Sequence, residues 1–178
     1  MIDVPCGDVN WIFDSLETDT LPIYVGLDVT NSVIKVNRER LGHHINKQFF
    51  FWDATLCPLP KFCNETAASK GGDGGKEQSF ELVHVRDVIQ HLTLDQGIRY
   101  FCNVFTSGAK VLITTTYPSA NSNTNIAEGR WYRNNLRLEP FSFPEVNCTR
   151  THPGIEDDHT CIYILTENWV KEFVSSKC

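Results

Sequence analysis

The 178 residues predict an α/β protein: a doubly wound, mostly parallel, Rossmann-like sheet with helices on both faces and an antiparallel last strand. Two patterns carry that prediction. Short apolar runs alternate with amphipathic runs of helical spacing, the order that successive βαβ units produce. Several of the apolar runs close on an acidic residue, at the strand ends where open parallel sheets bind their ligands.

In chain order, "MIDVPCGDVNWI" (1–12) is a short buried strand through Ile2 and Val4, broken by Pro5, Cys6 and Gly7 at a turn of small residues. "YVGLDV" (24–29) is the second strand. "NSVIKVNRERLG" (31–42) sets Val33, Ile34, Val36 and Leu41 near one face of a helix that stops at Gly42. "QFFFWDAT" (48–55) is aromatic and strand-like. "KGGDGGKEQS" (70–79) has four glycines among charged residues, which hold regular structure only at high entropic cost. Residues 64–79 are therefore expected to form a flexible insert. It lacks the feeding strand and departing apolar helix that a phosphate loop needs.

"FELVHVRDV" (80–88) is a buried strand running into a loop, and "TLDQGIRYFCNVF" (93–105) is a helix with Thr93 at its cap and Asp95 near its amino end. "KVLITTTYP" (110–118) is a buried strand ended by Pro118. An irregular, aromatic and proline-containing stretch fills 119–147, and "TCIYILT" (160–166) is the last strand. The length and the absence of an internal repeat lead to one domain over 1–178.

Composition narrows the function. Hydrophobic residues make up 41% and the net charge is −6 with both signs interspersed, which argues against a nucleic-acid backbone binder, since that needs a basic surface. No apolar run nears the roughly 20 residues of a membrane span, and no charged-then-apolar leader opens the sequence. The expectation for the chain as written is a cytoplasmic protein with no membrane and no nucleic-acid partner, with the secretory pathway as the alternative if an upstream segment is missing. Seven cysteines, an odd number without a C-x-x-C pair, are expected to be reduced thiols rather than a disulfide framework or a zinc site. His43-His44, His152 and His159 are expected as exposed loop histidines, with no metal. Sequons stand at Asn64 and Asn147 and matter only for a secretory protein.

The strand-end rule selects residues 5–11, 28–31, 53–55, 84–91 and 115–118. Asp28 lies 21 positions after Gly7, a spacing suited to an acid that accepts hydrogen bonds from ribose hydroxyls. The turn itself, "DVPCGDVNW", lacks G-x-G-x-x-G, so a nucleoside ligand without phosphates is favoured over a dinucleotide.

These residues resemble the class I S-adenosylmethionine-dependent methyltransferases. "DVPCGD" is similar to the acidic, glycine-containing first motif, "GLDV" and "WDAT" to the second- and third-strand acids, and "VRDVIQHL" followed by "TTTYP" to the fourth and fifth strand ends. "GRWYRNNLRLEPFSFPE" (129–145) resembles the downstream segment of a subgroup of small members. The resemblance implies S-adenosyl-L-methionine as cofactor and methyl transfer to an oxygen of a small-molecule or glycan acceptor. The implied cofactor-binding set is Asp3, Pro5, Cys6, Gly7, Trp11, Asp28, Val29, Asp53, Ala54 and Arg86. Within it, Asp3 and Gly7 line the methionine part, Asp28 the ribose, and Asp53 with Ala54 the adenine. Pro5-Cys6 departs from the glycines that many members carry there.

Asp3 is equally read as a strand-end cap, and Trp11 as a cofactor cover or a core anchor. Asp87 is implied near the methyl-transfer centre. His91, four residues on, is the candidate general base because its ordinary pKa lies nearest neutrality; pairing with Asp87 or capping a short helix is its bland alternative. Arg86 holds Asp87 or an acidic substrate group. Trp131, Arg133 and Asn135 are the candidate acceptor residues, against an ordinary loop packed on the sheet. The resemblance implies helices ahead of the first strand, so either the chain as given is a fragment or its site is unusually open, and an upstream extension is expected to tighten cofactor binding. Two other readings stand beside this one: a nicotinamide-dependent oxidoreductase, which Asp28 permits and the missing glycine fingerprint disfavours, and a non-catalytic cofactor-binding or interaction domain.

Overall fold

The computed structural model describes residues 1–17, 21, 23–60, 62–63, 77–78, 80–127, 130–150 and 159–178. Asn64, His152 and most of the expected 64–79 insert lie outside them. The chain runs β1 (Ile2–Asp3), α1 (Phe13–Glu17), β2 (Tyr24–Asp28), α2 (Asn31–Leu41), β3 (Lys47–Phe51), β4 (Phe62–Cys63), β5 (Glu77–Gln78) and β6 (Leu82–Val85). A 3-10 turn (Ile89–His91), α3 (Leu94–Phe105), β7 (Val111–Thr116), β8 (Cys148–Arg150), β9 (His159–Ile164) and α4 (Glu167–Lys177) follow. β4 and β5 pair antiparallel as a separate two-stranded sheet, so the end of the expected insert is strand.

Seven strands form the main sheet in the order β3-β2-β1-β6-β7-β9-β8. β3, β2, β1, β6 and β7 are parallel neighbours. β9 runs antiparallel between β7 and β8, as expected of a last strand, and among the described residues β8 is the edge. The chain order reverses between β1 and β6, which opens a crevice at the carboxyl ends of the strands there.

Each face of the sheet buries its own layer. Ile2, Val4, Val25, Leu27, Val83, Val85 and Leu112 pack with α3 through Tyr100, Phe101, Val104 and Phe105. That helix starts where the sequence reads it: Gln96 N–H donates to Thr93 Oγ1 at 3.2 Å and Thr93 N–H to Gln96 Oε1 at 2.9 Å, satisfying two end groups reciprocally. On the opposite face Cys6, Val9, Leu16, Tyr24, Ile34, Leu41 and Phe49 form a second cluster under α1 and α2. The buried stripe of α2 is Ile34, Asn37 and Leu41, whereas Val36, expected inward, is exposed. Asn37 displaces it because its amide has a tertiary partner, described below.

α4 has no counterpart in the sequence reading. Thr166 Oγ1 caps it by accepting from Trp169 N–H, and Trp169 and Phe173 pack edge-on against Phe105 and Phe143. His159, expected in a loop, opens β9.

The expectation of reduced cysteines is overturned. Cys102 in α3 is bonded to Cys178 at the end of α4, and Cys148 in β8 to Cys161 in β9. The pairs are 76 and 13 residues apart in the chain and meet only because α4 folds back on α3 and β8 registers Cys148 opposite Cys161. No helix among the described residues is long and apolar enough to cross a membrane.

Candidate functional site

Asp28 ends β2, buried, with both oxygens engaged: Gly7 N–H donates to Oδ2 at 3.0 Å and Thr30 N–H to Oδ1 at 2.8 Å. Gly7 reaches it with φ +54°, a left-handed conformation that costs glycine little. From the other side Asn37 Nδ2 donates to the Gly7 carbonyl at 2.7 Å, so α2 and β2 hold the turn between them. A carboxylate offers about four acceptor positions, and these two bonds leave room for others.

One residue past the end of β3, the Trp52 N–H donates to the Asp28 carbonyl at 2.9 Å, which carries Asp53 to the same rim. Asp53 Oδ1 takes the Thr55 N–H at 2.8 Å and the Thr55 hydroxyl at 2.6 Å. This local turn directs 54–57 away from the sheet, and Asn103 Nδ2 of α3 fastens it by donating to the Ala54 carbonyl at 2.8 Å.

Asp28, Val29, Asp53 and Ala54 line one cleft of about 290 Å³ with Pro5, half of the expected cofactor set. Trp52 and Tyr100 complete its wall. The Tyr100 hydroxyl donates to the Val4 carbonyl, and burial pushes its pKa well up, so it is a neutral donor. The Trp52 indole N–H is buried without a hydrogen-bond partner. Neither residue was found from sequence, where attention fell on acids; an aromatic before "DAT" was the available signal.

Other expected residues lie elsewhere. Asp3 points to the α1–α2 face, opposite Ile2 and Val4, fully buried. Tyr24 O–H donates to its Oδ2 at 2.6 Å and His84 Nδ1 to its Oδ1 at 2.7 Å, so its carboxylate is committed to the protein and is not among the cleft-lining groups. Trp11, 46% exposed, lays its ring 4.6 Å from that of His84. Cys6 is buried beneath the turn, and burial, then Asp3 and Asp28, push its thiol far up, which excludes a reactive thiolate.

Asp87 follows β6 with φ +53°, unusual for a residue with a side chain, its N–H donating to Thr115 Oγ1 at 3.0 Å. Its carboxylate accepts from Arg86 Nε at 3.2 Å and Gln90 Nε2 at 3.3 Å. The expected pairing of Asp87 with His91 is not made. Asp87, in the left-handed region, is no part of a helix with His91; only Ile89–His91 turn as a 3-10 helix, Gln90 reaches Asp87, and His91 is exposed.

Residues 132–136 cross the ends of β6 and β7: Tyr132 N–H donates to the Gln90 carbonyl at 3.0 Å and Tyr117 N–H to the Asn134 carbonyl at 2.8 Å. Trp131 is exposed and edge-on to Tyr117, and Arg133 is exposed. Asn135, expected at the acceptor, is a bracket of the loop instead. Its Nδ2 donates to Pro118 O at 3.1 Å and Ala120 O at 3.0 Å, and its Oδ1 accepts from Arg137 N–H at 3.1 Å.

A reversal between the first and fourth strands of the main sheet, with an antiparallel strand inserted next to its last edge, decides the architecture. The fold is that of the class I S-adenosylmethionine-dependent methyltransferases. Magnesium protoporphyrin IX methyltransferase (ChlM) from Synechocystis PCC 6803, solved with bound SAM, superposes with a TM-score of 0.62 at 12% identity, over 93% of this chain and 69% of that one. The methyltransferase domain of bacterial CtHen1 gives 0.59 at 15% identity, over 92% and 89%. LepI in complex with SAM gives 0.60 at 10% identity, over 92% and 42%. No family model and no curated protein matches the sequence. In this methyltransferase fold the Asp28–Asp53 cleft lies at the carboxyl ends of β1 to β3, beside the switch point.

Proposed function

We propose that the protein is an S-adenosyl-L-methionine-dependent methyltransferase that transfers a methyl group to an oxygen of a small-molecule or glycan acceptor. The observation that carries this reading is the sharing of one cleft by Asp28 and Asp53, each at the end of its own parallel strand. The residues fit the cofactor. Asp28 retains acceptor capacity for ribose hydroxyls, and both bonds to Asp53 fall on Oδ1, so Oδ2 is available to an adenine amine. The unpartnered Trp52 indole N–H is a buried donor in the same wall, the kind of group whose cost a ligand acceptor removes.

When bound, the cofactor supplies a methyl group already activated by its sulfonium. The protein's task is then alignment and removal of the acceptor proton. We assign the proton to the Asp87 carboxylate, held by Arg86 and Gln90 at the end of β6. His91, exposed and out of contact with Asp87, is not given that role. Trp131 and Arg133, exposed on the segment that crosses β6 and β7, are the acceptor-side residues of this reading.

Calorimetric titration with S-adenosylmethionine, S-adenosylhomocysteine and NAD side by side tests it. Saturable binding of the first two and none of the third is expected. Binding of NAD alone, or of none of the three, would overturn the reading.

A further inference from the structure

We infer that Asn147 is an N-glycosylation site, that the chain matures in an oxidising, glycosylating compartment, and that the glycan covers the apolar strip of Ile162 and Ile164. The argument uses residues at the opposite edge of the sheet from β3 and does not depend on methyl transfer.

Four cysteines are paired, in Cys102–Cys178 and Cys148–Cys161. Persistent disulfides belong to oxidising compartments and are rare where thioredoxin and glutathione hold thiols reduced. The second bond is formed by the middle residue of a sequon, Asn147-Cys148-Thr149, in which Asn147 and Thr149 are both exposed. Among the described residues β8 pairs only with β9 and forms the edge of the sheet, and no described strand stands against Asn147 on that side.

The outer face of β9 gives the site a role. Cys161 and Tyr163 point into the core, whereas Ile162 and Ile164 are 54% and 67% exposed. Beside them on the same face lie their partners in register, Ile113 and Val111, each only partly buried. The β8–β9 register opposes Cys148 to Cys161, and continued by one residue it brings Asn147 level with Ile162, both on the outer face. A glycan rooted there lies over the isoleucines and blocks the free edge from pairing with another strand.

The chemistry balances without an oxidant. Asn147 Nδ2 bonds to the anomeric carbon of a lipid-linked oligosaccharide diphosphate, the carbon–oxygen bond to the diphosphate breaks, the amide nitrogen loses one proton and the lipid diphosphate leaves.

The test is peptide mapping of the protein isolated from its own cells, with free thiols alkylated at lysis and peptide N-glycosidase applied in heavy-oxygen water. Expected is an Asn147 peptide that appears only after the glycosidase, as labelled aspartate, with Cys148 and Cys161 alkylated only after reduction. An unmodified Asn147 peptide, or Cys148 alkylated before reduction, overturns the inference. In secretory expression of the full chain, Asn147→Gln and Thr149→Ala lose one glycan and Thr149→Ser keeps it. Enzymatic deglycosylation raises binding of an apolar dye severalfold, and Ile162→Ser with Ile164→Ser abolishes the rise; no rise on deglycosylation overturns the covering role.

Discussion

The Gly7 backbone N–H donates to Asp28 Oδ2 at 3.0 Å, tying the turn after β1 to the acid at the end of β2. That bond makes Asp28 a structural group as well as the proposed ribose acceptor. Asp28→Ala removes the turn's acceptor and the ribose acceptor together, whereas Asp28→Asn keeps a carbonyl for Gly7. Both variants are expected to weaken S-adenosylhomocysteine roughly ten- to a hundredfold, the size of lost hydrogen bonds to a charged group. Asp28→Ala should also lower the melting temperature by more than Asp28→Asn, which keeps one of the two acceptors for the Gly7 and Thr30 N–H groups. An unchanged dissociation constant in calorimetry removes the main support for the cofactor site.

Asp87 and His91 are separated by the same logic. Asp87→Asn is expected to lower kcat by roughly 10²- to 10⁴-fold, the usual contribution of a positioned base, with cofactor affinity retained. His91→Ala, at an exposed position, should leave kcat unchanged. Single-turnover transfer of labelled methyl checks both, and the reverse pattern would restore His91 as the base.

Tyr24→Phe removes the donor to Asp3 Oδ2 in a fully buried site. A buried acceptor without its partner costs about 1–3 kcal/mol, to be read as a shift in the urea midpoint. Affinity for S-adenosylhomocysteine should not move. If it falls in parallel with stability, Asp3 belongs to the cofactor site after all.

Asn135→Ala deletes the three side-chain bonds that bracket 118–137. At about 1 kcal/mol net for each bond, a loss of roughly 3 kcal/mol is expected. Limited proteolysis should then open within 119–147 before any other segment. Wild-type stability with lost acceptor affinity would instead return Asn135 to the acceptor site.

Burial raises Tyr132 and Tyr163 from the ordinary 10.0 to about 12, and Tyr24 and Tyr100 further. Below pH 10 these phenols are neutral in the folded and unfolded chains alike, so they add no pH dependence there. Between pH 10 and 12 the unfolded chain has released protons that the folded one keeps, and stability falls as pH rises. Each tyrosine contributes a slope of about 1.4 kcal/mol per pH unit. Tyrosinate absorbance from these four should therefore rise mainly with unfolding rather than before it, and two or more tyrosinates among the five tyrosines of a fully folded protein at pH 11 would contradict the burial.

The legible parts of this protein are those whose signal is local. β2, β3, β6, β7 and β9 announce themselves as apolar runs, and Thr93 with Asp95 marks the start of α3. Asp28 and Asp53 were found because a strand end is a position in sequence as well as in space. Asp3 was assigned to the cofactor because the alternation of a two-residue strand does not say which face is the inner one; Tyr24 and His84 settle that only after β2 and β6 flank it. The burial of the Asn37 amide is not legible in the sequence for the same reason: its partner, the Gly7 carbonyl, is 30 residues away. α4 was missed because its anchors, Trp169 and Phe173, find their partners on α3 and on the 136–143 loop, and the disulfides because no spacing motif accompanies them.

β1 is the shortest strand of the sheet, and it stands in the middle. Ile2 and Asp3 pair with Val25 and Gly26 on one side and with Val83 and His84 on the other, while the Val4 and Cys6 N–H groups reach His84 and Leu27. Without those few residues the strands fall into two unconnected groups, β2–β3 and β6–β7–β9–β8. Each group can assemble from segments close in the chain, but the seam between them closes only when the first residues return to meet position 83. Such distant pairing is slow to find. The β1 peptide is thus the keystone of assembly, and the two half-sheets wait for it with their inner edges open.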